Sequence, residues 1–315
     1  MTACPSLFCF GLGYSARALA RSLLREGWRI AGTTRSGHSP GPDLAVEVVA
    51  FDGLAPIADA ATVLAGVSHI LVSIPPEAEG DPVLAHHALD LARLSGLSWL
   101  GYLSATSVYG EGGGAPVDET SPLAPTSARG RRRLAAERAW LDLHRQSGLP
   151  VHVFRLAAIY GPGRSPLDQL RAGTARRIDK PGHRFARIHV EEIVAVLRAS
   201  IERPAPGAIY NLCDDEPAEP ADVVSYASRL LGVEPPPLEP FASACASLSP
   251  MARSFWQDRR TLANARMHDL LGRPLAYPSY RQGLAAIARA EARDLNARAE
   301  AGDLNARAQA RDLKK

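Results

Sequence analysis

The residues best suited to chemistry come at the start of the chain. Gly11-Leu12-Gly13-Tyr14-Ser15-Ala16 is a G-x-G-x-x-A segment that follows the apolar run Leu7–Phe10 and opens a helical pattern. In that setting Gly11 permits a tight turn and Gly13 lets a pyrophosphate approach the backbone. Ala16 allows close packing of helix on strand, while Tyr14 and Ser15 begin a helix whose free N–H groups favour an anion. The implied chemistry is dinucleotide binding, with a purely structural turn as the alternative. An NAD site carries Asp or Glu about 20 residues further on, for the ribose 2′-hydroxyl. Here that position reads Thr33-Thr34-Arg35-Ser36, with no carboxylate. Arg35, flanked by the Thr34 hydroxyl, suits a 2′-phosphate. The expected cofactor is therefore NADP rather than NAD, and a solvated loop arginine is the alternative. Asp52, in Phe51-Asp52-Gly53, would accept from an adenine amino group or simply form a turn.

These segments need elements to hold them. Leu7–Phe10, Arg29–Thr33, Val46–Phe51, His69–Ile74, Trp99–Leu103 and Val151–Leu156 read as strands, most of them too apolar to have a solvated face. Ser15–Glu26, Pro82–Leu94 and Ser127–Gln146 carry helical spacing between them. The pattern predicts an α/β fold, a Rossmann doubly wound parallel sheet. After Gly161-Pro162-Gly163 the rhythm changes. Glu191–Ile201 and Ala221–Leu231 read as helices, Ala208–Leu212 as a strand, Glu234-Pro235-Pro236-Pro237 as a loop, and Arg260–Leu271 and Tyr280–Arg289 as closing helices. The expected division is an NADP-binding domain over 1–160, a smaller substrate-binding part over 161–290 interleaved with it, and a low-complexity tail over 291–315. In that tail Asp294-Leu295-Asn296-Ala297-Arg298-Ala299 recurs nine residues later, so successive leucines fall on opposite helix faces. A charged helical or disordered extension is expected.

Composition excludes several classes. With 36 Lys+Arg against 33 Asp+Glu, the net charge of +3 does not support nucleic-acid binding by bulk charge. Four cysteines without a C-x-x-C pair read as reduced thiols. The first residues lack a basic n-region, and no apolar stretch approaches the roughly 20 residues of a membrane span. A cytoplasmic chain with no membrane partner is expected. His86 and His87 are adjacent rather than at metal-ligand spacing, so a metal site is not indicated, and a serine hydrolase is not expected.

Later motifs carry a resemblance. Tyr102-Leu103-Ser104-Ala105-Thr106-Ser107-Val108-Tyr109-Gly110, Phe154-Arg155-Leu156-Ala157-Ala158-Ile159-Tyr160-Gly161-Pro162-Gly163, Arg187-Ile188-His189-Val190-Glu191-Glu192 and Tyr210-Asn211-Leu212 join the glycine loop. Over about residues 5–285 the chain resembles the extended or atypical short-chain dehydrogenase/reductases, the NAD(P)-dependent epimerase/dehydratase superfamily. The resemblance implies a Tyr-x-x-x-Lys pair and a Ser or Thr hydroxyl. Alignment puts Arg129 at the tyrosine, Arg133 at the lysine and Ala105 at the hydroxyl. Arginine cannot exchange protons near neutrality. Arg133 would keep the lysine's charge and its bonds to the nicotinamide ribose. The proton would come from another hydroxyl, with Tyr109 favoured on acidity and Ser104 and Thr106 beside it. In the family this tyrosine is mostly structural.

Arg129, Tyr160 and Arg187 are the expected substrate contacts. Arg129, Arg131, Arg132 and Arg133 crowd into little more than one helical turn, so most of them form a solvated face, with Glu137 pairing Arg133 at i,i+4. Arg171, Arg176, Arg177, Lys180, Arg184 and Arg187 form a second basic group, for an anionic substrate or as a basic loop. The expected function is an NADP-dependent oxidoreductase of the sugar epimerase/dehydratase type. Its substrate would be a sugar-like or anionic carbonyl or alcohol, a nucleotide sugar included, and a homodimer is the candidate assembly. The rival is a non-catalytic NADP-binding sensor or assembly protein.

Overall fold

Strand β1, Ser6–Phe10, is buried along its whole length: Leu7 and Cys9 enter one layer of core, Phe8 and Phe10 the other. Such a strand needs helices on both sides, and the computed structural model supplies them. It describes residues 4–39, 41, 44–112, 115–256 and 258–312, with the side chains of all but 250, 251 and 298–312. The first half continues with α1 (Tyr14–Leu24), β2 (Arg29–Thr34), β3 (Glu47–Ala50), α2 (Ala60–Val63), β4 (His69–Val72), α3 (Pro82–Ala92), β5 (Trp99–Ala105), β6 (Pro116–Val117), α4 (Ala128–Ser147) and β7 (Val151–Leu156). The second half holds β8 (Ala158–Tyr160), α5 (Pro166–Arg171), β9 (Arg177–Asp179), β10 (Arg187–His189), α6 (Val190–Glu202), β11 (Ile209–Leu212) and α7 (Pro220–Leu231). It closes with β12 (Leu238–Pro240), α8 (Phe241–Ser247), α9 (Pro250–Ser254), β13 (Thr261–Leu262), α10 (Ala265–Leu271) and α11 (Tyr280–Asp312).

Seven strands form one parallel sheet in the order β11-β7-β5-β4-β1-β2-β3, the doubly wound Rossmann arrangement. Helices α1, α6 and α10 cover one face through Leu19, Leu23, Ile193, Leu197 and Met267. Helices α3 and α4 cover the other through Val83, Leu91, Ala136 and Trp140. The caps are local. Asp81 accepts from Val83 N and Leu84 N at the start of α3, and Ser127 accepts from Gly130 N at the start of α4.

Strand β11 comes from the second half of the chain, yet it pairs with β7 in register Ile209↔Val153 to Leu212↔Leu156. The two halves are thus joined through the sheet. The expected single helix over 260–271 is instead β13 followed by α10. Thr261 and Leu262 pair in parallel with Pro116 and Val117 of β6, which draws them out of the helix. No helix among the described residues is long and apolar enough to cross a membrane. The tail is helical through Asp312, while residues 313–315 lie outside the described residues. Leu284, Ile287 and Ala288 are the last core contributions of α11, and Glu291 pairs with Arg171 at 2.6 Å. Truncation after residue 297 is therefore expected to leave the melting temperature and the number of chains per particle, read by light scattering, unchanged. A loss of several degrees, or fewer chains per particle, would show that the repeats stabilise the body or an assembly.

Candidate functional site

The glycine loop lies at the carboxyl ends of the sheet strands, between β1 and α1. Gly11 has φ +91°, and a Cβ there would stand 2.9 Å from both Ile74 Cγ1 and Ser73 Oγ. Gly11 N donates to Thr33 Oγ1 at 2.8 Å, Leu12 N to Thr33 O at 2.8 Å, and Ser73 Oγ to Gly11 O at 2.6 Å. Gly13 is the N-cap of α1, with no side chain capping the helix and no acidic residue in its first turn. A Cβ on Gly13 would meet only Ser73 Oγ, at 3.8 Å, so the space before the helix N-terminus is open. An open cradle with unpaired first-turn amides fits a pyrophosphate. Ser15 and Ala16, both buried, hold α1 against the sheet. Tyr14 instead reaches the second half of the chain: its hydroxyl donates to Pro162 O at 3.0 Å and its ring lies under the Arg164 guanidinium at 5.5 Å. Burial pushes the Tyr14 hydroxyl up to about 12.

At the end of β2, Arg35 is exposed and makes no bond among the described residues, and no carboxylate stands beside it in the chain. Thr34 Oγ1 is already engaged, donating to His38 O at 3.0 Å. Asp52 forms the turn, its Oδ1 accepting from Leu54 N at 2.9 Å.

The expected proton donors lie on the α4 side of the sheet and are held by an internal network. Arg155, central in the buried strand β7, is 1% exposed and donates through Nε and Nη2 to the Glu137 carboxylate, the Nη2 bond being 2.8 Å. Ser104 Oγ donates to Glu137 Oε1. Arg155 Nη1 donates to the Tyr109 hydroxyl at 2.8 Å, and that hydroxyl donates to Asn211 Oδ1 at 2.6 Å. Asn211 Nδ2 in turn donates to Ala263 O at 3.1 Å. Burial raises the Tyr109 hydroxyl, against the lowering effect of Arg155. Both Ser104 and Tyr109 are thus committed within the chain. Thr106 is not: it opens the turn after β5, is 9% exposed, and its side chain makes no bond among the described residues.

Of the four crowded arginines only Arg133 is buried. The expected Arg133–Glu137 pair does not form, because Glu137 is taken by Arg155. Arg133 Nη1 turns to the Tyr102 hydroxyl at 3.0 Å and Leu103 O at 2.8 Å. Arg129 is exposed, 5.8 Å from the Phe255 ring centroid; desolvation, and then Arg133 and Arg164, lower its pKa. The second basic group is dispersed. Arg171 pairs with Glu291, Arg176 with Glu239 at 2.6 Å, and Lys180 donates to Trp256 O at 2.6 Å. Arg187 and Tyr160 remain together, on the wall of a cavity of about 360 Å³. His189 caps α6, accepting from Glu191 N at 3.2 Å.

The Arg155–Glu137–Tyr109–Asn211 network escaped the sequence reading. A signal was present: a charged residue inside the apolar run Val151–Leu156 requires a buried partner.

The chain belongs to the NAD dependent epimerase/dehydratase family, which it matches over residues 11–213. Protein YeeZ of Escherichia coli (strain K12) is 30% identical over 246 residues, covering 72% of this chain and 84% of that one. A functionally unknown conserved protein from Silicibacter pomeroyi DSS is 48% identical, with TM-score 0.80 over 90% of this chain and 98% of that one. UDP-glucuronic acid 4-epimerase from Bacillus cereus, in complex with UDP-glucuronic acid and NAD, shares the fold at 17% identity, with TM-score 0.67 over 90% of this chain and 98% of that one.

Proposed function

We propose that the protein is an NADP(H)-dependent oxidoreductase acting on a small sugar-like or anionic carbonyl or alcohol substrate. The observation that carries this reading is the open cradle at Gly13 together with the unengaged Arg35 at the end of β2. Residues 1–160 would bind the cofactor and residues 161–290 the substrate, within a cytoplasmic homodimer. Gly11, Gly13, Tyr14, Ser15 and Ala16 form the pyrophosphate cradle, Arg35 meets the 2′-phosphate with Thr34 fixing the loop beside it through His38 O, and Asp52 stands near the adenine. The nicotinamide, when bound, supplies hydride chemistry.

The chain's own residues have to manage the matching proton. Thr106, whose hydroxyl makes no bond among the described residues, would relay a proton from water to the substrate oxygen, and Arg129 stabilises a developing oxyanion. Ser104, Tyr109 and Arg133 hold the floor of the site. A nucleotide sugar, as in the Bacillus cereus complex, is one substrate of this class.

Calorimetric titration should show NADPH binding about 10- to 150-fold tighter than NADH, the value of one charge-assisted contact of roughly 1.5–3 kcal/mol. Arg35→Ala should bring the two together. Equal affinities in the unmodified chain would overturn the NADP assignment. One observation favours the second reading, an NADP-binding sensor: the Ser104 and Tyr109 hydroxyls are both engaged internally. Tight NADPH binding with no oxidation across a panel of aldehydes, keto acids and sugars would support it.

A further inference from the structure

Strands β8 and β10 and helices α5, α7 and α11 enclose the cavity of about 360 Å³. That volume is near the lower end of the roughly 300–1,000 Å³ typical of ligand pockets. Its wall combines apolar surface from Ile159, Val223 and Leu284 with the rings of Tyr160 and Tyr280. The charged groups on it are Arg164, Arg187 and Asp168.

The state of each charge decides what fits. Asp168 is occupied by its own capping box, its Oδ2 accepting from Ser165 N at 2.7 Å and from Ser165 Oγ at 2.6 Å. Arg187 donates from Nη1 to Phe185 O at 2.9 Å and Ala218 O at 3.0 Å. Its Nε and Nη2 make no bond among the described residues, and none of the ion pairs there includes it. The nearby Asp214 makes no ion pair with it. That carboxyl is 3% exposed, neither of its oxygens is bonded among the described residues, and burial pushes its pKa up to about 8. Asp215 and Glu216, next in the chain, are bonded to His268 and Arg281. Two guanidinium charges against one carboxylate leave the cavity wall with a single net positive charge.

We infer that this cavity receives the carboxylate end of a compact, ring-bearing substrate, with the free edge of the Arg187 guanidinium as its partner. The free Nε and Nη2 edge is the fork that matches a carboxylate in two parallel bonds. The tyrosine rings and aliphatic groups suit an apolar body. One net positive charge matches a monoanion better than a nucleoside diphosphate, and the small volume points the same way. The inference rests on the oxidoreductase reading for the word substrate, whereas the binding it predicts does not require the cofactor.

The test is calorimetry or ligand-observed NMR on the full chain at low salt, with benzoate, benzyl alcohol, inorganic phosphate and UDP-glucose as probes. Benzoate should bind more tightly than the other three. Arg187→Met should weaken it by about tenfold or more, as expected for a lost charge-assisted pair. Because Arg187 also holds two carbonyls, a second variant is needed. Ala158→Phe fills the cavity from an exposed position and should abolish benzoate binding with native circular dichroism. Arg25→Met, on the exposed end of α1, should change nothing. Absence of benzoate binding, equal affinity in folded Arg187→Met or Ala158→Phe, or a preference for phosphate or UDP-glucose would each overturn the inference. Parallel NADPH titration separates the two readings. NADPH binding without benzoate binding removes only the carboxylate site, and benzoate binding without NADPH binding removes only the cofactor assignment.

Discussion

Glu137→Ala is expected to destabilise the protein by about 3–5 kcal/mol, the cost of stranding a buried charge after its partner is removed. Glu137 and Arg155 are each 1% exposed, and the carboxylate also accepts from Ser104. Against a typical total of about 5–15 kcal/mol, that is a large share of the folding free energy. Denaturant titration would measure it, and a loss below about 1 kcal/mol would show that Arg155 finds water or another acceptor. The double variant Glu137→Leu with Arg155→Met should lose less than Glu137→Ala alone, since no charge is left uncompensated. Tyr109→Phe should cost a smaller amount, about 1–3 kcal/mol, by leaving Asn211 Oδ1 and an Arg155 N–H without their partner.

Gly13→Val is expected to abolish NADPH binding while the fold survives. The backbone at Gly13 has φ −79° and ψ −171°, which any L-residue adopts. The added Cβ would meet only Ser73 Oγ, in ordinary contact at 3.8 Å, so nothing in the chain resists the substitution. The valine methyls would instead occupy the space before the α1 N-terminus. If two amide contacts of roughly 1.5–3 kcal/mol each are lost, affinity falls by at least about 100-fold. Unchanged calorimetric affinity with native circular dichroism would reduce the loop to a structural turn. Gly11→Val is a different experiment, because φ +91° and two contacts at 2.9 Å make it a folding defect.

The parallel sheet was legible in the sequence because strands buried on both faces leave uninterrupted apolar runs such as Phe8-Cys9-Phe10 and Ile70-Leu71-Val72. The cradle was legible because its glycines follow such a run directly. The charge pairing was not. Helical spacing offers Arg133 to Glu137 four residues on, but it is blind to a strand residue that folding brings against the same helix face. Arg155, 18 residues further along, wins the carboxylate with a bidentate grip. The short parallel pairs β6–β13, β8–β10 and β9–β12 have two or three residues each, too few to show periodicity. The dispersal of Arg171 and Arg176 onto Glu291 and Glu239 likewise depends on partners more than 60 residues away.

The origin of β11 bears on how the chain is made. During synthesis, residues up to about 160 emerge with β1, β2, β3, β4, β5 and β7 ready to pair, while Ile209–Leu212 has yet to be translated. At about 5–20 residues per second, the outer edge of β7 then waits several seconds for its neighbour. A bare, apolar, straight edge is a template for pairing with another nascent chain. A fragment ending near residue 160 should therefore aggregate when expressed alone, and one extended beyond Leu212 should be far less prone to it. The hazard on the ribosome lies at the far side of the sheet from β3, in the interval before the seventh strand arrives.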